Sequence, residues 1–133
     1  MSGSFVKIEH AAIACRDVPA MAKWYCTHLG MAVLFKSSSE PPTILVGYGA
    51  LPDPSAIELM PARDDGPDPA TQPRFMPGLR HLAFAVTEFE SVYQKLKNAG
   101  ITFLFEPVTA AGGGKVVSFR DPEGNELQIV QRI

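Results

Sequence analysis

The chain contains an internal duplication. Ile8-Glu9-His10-Ala11-Ala12-Ile13-Ala14 lines up with Leu79-Arg80-His81-Leu82-Ala83-Phe84-Ala85 at an offset of 71 residues, with a histidine third in each string. A repeat of this kind means one supersecondary unit used twice, so matching positions carry matching structural roles. Both strings read as strands. Alternation puts His10, Ala12 and Ala14 on one face and Ala11, Ile13 and Cys15 on the other; His81, Ala83 and Ala85 oppose Leu82, Phe84 and Val86 in the same way. In each copy the bulky apolar face suits a covering helix, and the histidine face, lined by alanines, leaves space.

Helical segments with start and stop signals follow both strands. In the first copy Asp17 can cap, Pro19 suits the opening turn, Met21, Trp24, Tyr25 and Leu29 recur at helical spacing, and Gly30 follows the end. That spacing makes Trp24 and Tyr25 core residues. In the second, Thr87 and Glu90 have capping-box spacing, Phe89, Val92, Leu96 and Ala99 form the apolar stripe, and Gly100 closes it. Three short strands are then expected in each copy: Met31 to Lys36, Thr43 to Tyr48 and Ala56 to Met60, and Ile101 to Glu106, Lys115 to Phe119 and Glu126 to Gln131. Each copy is therefore βαβββ, and the fold class is α+β.

The 133 residues fit one domain. Its first module spans 5–62, a linker 63–77, and its second module 78–132. Prolines at 61, 67, 69, 73 and 77 exclude a central strand or a helix from the joining stretch. Gly112-Gly113-Gly114, before a strand, reads either as a wide turn or as a mobile cover over a site.

The closing strands select the partners of the histidines. Ile57 and Leu59 match Leu127 and Ile129 as the helix-facing pair, which leaves Glu58 and Gln128 on the histidine face. Spacing agrees, with 48 residues from His10 to Glu58 and 47 from His81 to Gln128. Glu126 would match Ala56, and it lies on the same strand face as Gln128 at the rim. Two imidazoles, a carboxylate and an amide oxygen suit a divalent ion, with Zn, Ni, Mn, Fe and Co all open. Such an ion with open positions can hold vicinal oxygens of a small substrate and stabilise an enolate; iron on two histidines and a carboxylate can instead activate dioxygen. A lone strand histidine is more readily structural. Two of them with a glutamate at repeat-equivalent positions favour a metal site. His28, near a helix end, suits exposed carbonyls there.

A net charge of −2 with 20% charged and 46% apolar residues gives no basic excess for nucleic acid or a membrane surface. With no run long enough to span a bilayer and no signal-like start, a cytoplasmic protein is expected. Cys15 and Cys26 read as buried thiols.

These strings resemble the vicinal oxygen chelate superfamily, which includes glyoxalase I, methylmalonyl-CoA epimerase, type I extradiol dioxygenases, and fosfomycin and bleomycin resistance proteins. The resemblance runs from Val6 to Gln131. It rests on the two histidine strands, on Ala56-Ile57-Glu58-Leu59, and on Phe119-Arg120-Asp121-Pro122-Glu123-Gly124-Asn125. It implies two βαβββ modules whose mixed sheets curl into an incomplete barrel around a metal, commonly in a homodimer. The family's ligand positions fall on His10, Glu58, His81 and Gln128, where metal-using members usually carry glutamate at the last. Because that glutamate is thought to move the proton in glyoxalase I and the epimerase, and glutamine cannot act as a carboxylate base, the resemblance points to Glu58 as the catalytic base, with Glu126 second. Three functions follow: a metal-dependent glyoxalase-like lyase or isomerase on a small oxygenated substrate, an extradiol-type dioxygenase with a His10–His81–Glu58 iron site, or a bleomycin-resistance-like binding protein without catalysis. A glutathione-linked substrate would want cationic groups. Arg16, Arg74, Arg80 and Arg120 are available, but Arg80 alternates away from His81 and Arg120 adjoins a turn, so both read as structural charges.

Overall fold

The computed structural model describes residues 2–63 and 65–133; Asp64, part of the expected linker, lies outside the described residues. The chain divides into two compact units, Met1–Asp65 and Gly66–Ile133, with the boundary in the proline-rich stretch. In the first, β1 (His10–Cys15), α1 (Val18–Leu29), β2 (Ala32–Lys36), β3 (Ile44–Ala50) and β4 (Asp53–Pro61) follow in order. The second has β5 (His81–Ala85), α2 (Phe89–Asn98), β6 (Val108–Thr109), β7 (Lys115–Arg120) and β8 (Glu126–Gln131). Each unit forms a four-stranded mixed sheet, ordered β1-β4-β3-β2 and β5-β8-β7-β6. The first strand runs parallel to the last in both, and the remaining pairs are antiparallel. The duplication is thus a duplication of topology: two βαβββ modules.

The apolar stripes form the cores only in part: Trp24, Leu29 and Val92, expected inside, are half-buried, and Ala99 is exposed. Val46, Ile57 and Leu59 are buried in the first unit with Met21, Ala22 and Tyr25 of α1. Val117, Phe119, Leu127 and Ile129 are buried in the second with Phe89 and Leu96 of α2. Each such large side chain contributes about 1.5–3 kcal/mol by leaving water. Cys15 is buried, and Cys26 is partly buried, which pushes its thiol pKa up.

α1 begins and ends as its sequence dictates. Asp17 accepts from the Ala20 amide at 3.0 Å, Pro19 lies in the first turn, and Gly30 closes the helix in the left-handed region at φ 69°. α2 differs. No capping box forms: Glu88 occupies the cap at φ 53° without a side-chain bond, and Glu90 instead meets Lys115 Nζ at 2.8 Å. The cap comes from a distant residue, Gln131, whose Oε1 accepts from the Phe89 amide at 2.7 Å. A contact across 42 residues leaves no local trace in sequence.

Three strand expectations change. β1 and β5 start at the histidines rather than two residues earlier, because their parallel ladders begin at His10–Ala56 and His81–Glu126. β4 begins at Asp53, so Pro54 lies inside it. This is tolerated because Pro54 precedes the first β1 partner, and no amide is required of it on that side. The strand expected at Ile101 to Glu106 is absent as a ladder. Phe103 makes a single bridge to Phe119, Leu104 donates to Ser118 O at 2.9 Å, and pairing resumes only at β6. Packing holds this segment: the Phe103 ring lies 4.6 Å from Tyr93 and 5.7 Å from Phe119. The glycine run is a turn rather than a cover. A Cβ at Gly114 would fall 1.9 Å from Gln131 O, so only glycine lets the turn lie against β8. Among the described residues, no helix is long and apolar enough to cross a membrane.

Candidate functional site

Each unit presents one half of the residue set read from the repeat. In the first, parallel pairing of Ala12 with Glu58 puts His10, Ala12, Ala56 and Glu58 on one sheet face. In the second, pairing of Ala83 with Gln128 does the same for His81, Ala83, Glu126 and Gln128. Glu58 and Gln128 therefore occupy equivalent register positions, and Glu126 is equivalent to Ala56. Exposure alternates along β1 and β5, with the histidine faces the more open ones.

In the first unit, His10 Nδ1 lies 2.8 Å from Glu9 Oε1 and Nε2 lies 3.7 Å from Glu58 Oε2. A carboxylate on Nδ1 favours the Nδ1–H tautomer and aims the Nε2 lone pair at Glu58. At 3.7 Å the two lie beyond hydrogen-bond reach of each other. The separation is near that of two donors sharing one ion at about 2.0–2.2 Å each. Glu58 makes no other side-chain hydrogen bond or ion pair among the described residues, which leaves it available to ligate or to exchange a proton.

The second unit is organised by Glu126. Its side chain, only 5% exposed, accepts two hydrogen bonds from Arg74, at 2.8 Å from Nε and 2.7 Å from Nη2, and one from Ser118 Oγ at 2.9 Å. The Arg74 guanidinium is the main reason the Glu126 carboxyl is held below the usual carboxylate range, aided by Ser118 and opposed by burial. The same pair raises the Arg74 pKa. A carboxylate so bound is a weak base, which disfavours Glu126 for proton abstraction. It is better suited to an electrostatic role, 4.0 Å from His81 Nδ1.

A directional relay follows from that anion. Ser118 spends its proton on Glu126, so its oxygen accepts from Gln128 Nε2 at 3.0 Å. Anchoring the amide nitrogen leaves Gln128 Oε1, the ligating end, unengaged by any hydrogen bond among the described residues. Ser118 was not singled out from sequence, although alternation along β7 pairs it with Gln128 and a buried serine between Val117 and Phe119 is a signal. Arg74 sits in the linker, where no periodicity points to its role. Arg80 donates to Pro73 O and Arg120 to Gly124 O, as structural charges do. The His28 ring lies 5.3 Å from that of Trp24, tilted by 53°.

Within either unit, no three His, Cys, Asp or Glu side chains among the described residues gather as a metal site. Each half nevertheless offers a donor pair chemically suited to a divalent ion: imidazole with carboxylate, and imidazole with an oriented amide oxygen.

The sequence model of the Glyoxalase/Bleomycin resistance protein/Dioxygenase superfamily matches residues 7–129. A protein of Synechocystis sp. named "Probable lactoylglutathione lyase" is 29% identical over 126 residues, 92% of each chain. Among solved structures, a glyoxalase family protein from Enterococcus faecalis superposes with a TM-score of 0.75 at 27% identity, covering 95% of this chain and 98% of that one. The trypanothione-dependent glyoxalase I of Leishmania major superposes with a TM-score of 0.71 at 19% identity, over 96% and 87%, and shows the shared fold. With the family match spanning both modules, the chain belongs to the Glyoxalase/Bleomycin resistance protein/Dioxygenase superfamily.

Proposed function

We propose that the protein is a metal-dependent lyase or isomerase of the glyoxalase kind, acting on a small substrate that binds through neighbouring oxygens. The observation that carries this reading is the matched register: each module sets a histidine at the start of one strand and an oxygen donor, Glu58 or Gln128, two positions along its parallel neighbour. The ligand donors are His10, Glu58, His81 and Gln128. A divalent ion held by them supplies Lewis-acid polarisation of the substrate oxygens.

The chain's own residues do the rest. Glu9 fixes the His10 tautomer, and the Glu126–Ser118 relay fixes the Gln128 amide. Glu58 is the one carboxylate of the four proposed donors and carries the proton between substrate atoms. With glutamine at the repeat-equivalent position, proton transfer falls to one carboxylate, which serves as both acceptor and returning donor.

The name of the Synechocystis relative makes lactoylglutathione the first compound to assay. Protein stripped with a chelator should be inactive, and one of Zn, Ni, Mn, Fe(II) or Co should restore turnover of that thioester or of another small oxygenated substrate in a panel. Turnover that persists at full rate after chelation would refute metal dependence.

A further inference from the structure

The second unit contains a cavity of about 260 Å³ between the proline-rich segment and the turn joining β7 to β8. Three guanidinium groups line it, Arg74, Arg80 and Arg120, together with Asn125, Gln72 and one carboxylate, Glu126. Taken singly, each arginine has a structural contact. Taken together, they leave a surplus of positive charge. Glu126 is neutralised by its two bonds from Arg74, so Arg80 and Arg120 have no carboxylate among the cavity walls. The nearby Asp68, close to Gly124 and bonded by the Ala70 amide at 2.8 Å, keeps its negative charge and offsets one guanidinium, which still leaves the three arginines in excess over two carboxylates.

Arg80 and Arg120 each donate from Nη1 to one backbone carbonyl, Pro73 O at 3.1 Å and Gly124 O at 2.9 Å. Those two contacts fix the forks without discharging them, because a neutral carbonyl meets only part of a guanidinium's donor capacity. Arg80 Nε is buried with no hydrogen-bond partner, an unmet demand of the kind that folded proteins rarely leave. The volume lies just under the range of about 300–1,000 Å³ usual for drug-sized ligands, so it suits a small, compact group.

We propose that this cavity is a binding site for a small oxyanion, a carboxylate or a phosphate group, received by Arg80 and Arg120. Planar, always-charged forks match either group through paired N–H donors. The site shares Glu126 with the His81 half of the candidate centre, since Glu126 both lines the cavity and lies 4.0 Å from His81 Nδ1. The further step, that substrates carry an anionic group seated here, rests on the metal-centre reading above; anion binding itself does not.

Calorimetric titration with inorganic phosphate and with malonate, at constant ionic strength, tests the proposal. Wild-type protein should bind at least one of the two at a single site, with the better ligand identifying a tetrahedral or a planar oxyanion. Arg80→Gln and Arg120→Gln should each weaken it by about ten- to a hundredfold. Arg80→Lys, which keeps the stem and the charge, guards against misfolding and should retain part of the affinity. Absence of binding by wild type, or equal binding by all variants, would overturn the site. Divalent-metal affinity measured on the same folded variants should stay at the wild-type value. Wild-type protein that binds the anion but no divalent metal would therefore count against the metal centre alone.

Discussion

Glu58→Gln is expected to lower turnover by about 10²–10⁴-fold while leaving the fold intact. The substitution preserves size and one oxygen donor but removes the ability to take a proton. Glu58 is partly exposed and its only side-chain partner among the described residues is His10, so the stability change should stay within about 0.5 kcal/mol. Far-ultraviolet circular dichroism and a denaturant midpoint check the second half of the claim, and steady-state kinetics with saturating metal check the first. Undiminished turnover would place the base elsewhere. Glu126 is a poor substitute for the role, because Arg74 and Ser118 already hold its charged form.

Replacing Arg74 by methionine should destabilise the protein by about 2–3 kcal/mol at neutral pH. A fully buried pair broken on one side costs about 3–5 kcal/mol, and the smaller figure allows for solvent reaching Arg74, whose side chain is 35% exposed. The effect has a characteristic pH dependence. In the wild type Glu126 titrates below its unfolded value, so its contribution is fully present above about pH 4.5 and is lost as pH falls through the folded pKa. Without Arg74, burial acts unopposed by that charge and pushes the carboxyl the other way. The stability gap between variant and wild type should therefore be widest at neutral pH and narrow on acidification. Arg74 also lies 5.2 Å over Phe75 and 5.4 Å over Phe105, so a gap independent of pH would mean lost packing rather than lost charge.

The parts of this fold legible in sequence are those written in local repetition. Two histidine strings at one offset give the two modules, and alternation gives the strand faces. The spacing from histidine to closing strand distinguishes Gln128 from the neighbouring Glu126, and the observed register agrees in both units. The first helix carries its own cap and stop, and both appear as read.

Features set by distant residues were not legible. Gln131 caps α2 in place of Thr87 and Glu90, and a single bridge from Phe103 replaces a predicted strand. Glu126 is a rim carboxylate in sequence but a buried, paired anion in the structure, because its partner comes from a linker with no periodic pattern. The arginines give a sharper case. Arg80 and Arg120 read individually as structural charges, and their backbone contacts agree. Only the folded linker shows that they share a cavity wall with Arg74.

His10, Glu58, His81 and Gln128 are the proposed donors for a divalent ion. Titration of chelator-stripped protein with Zn, Ni, Mn, Fe(II) and Co, followed by calorimetry and by elemental analysis after dialysis, tests that assignment directly. About one ion per chain is expected for at least one of these metals, with binding abolished in folded His10→Ala and His81→Ala variants. No affinity for any of the five, or affinity unchanged in either variant, would contradict it.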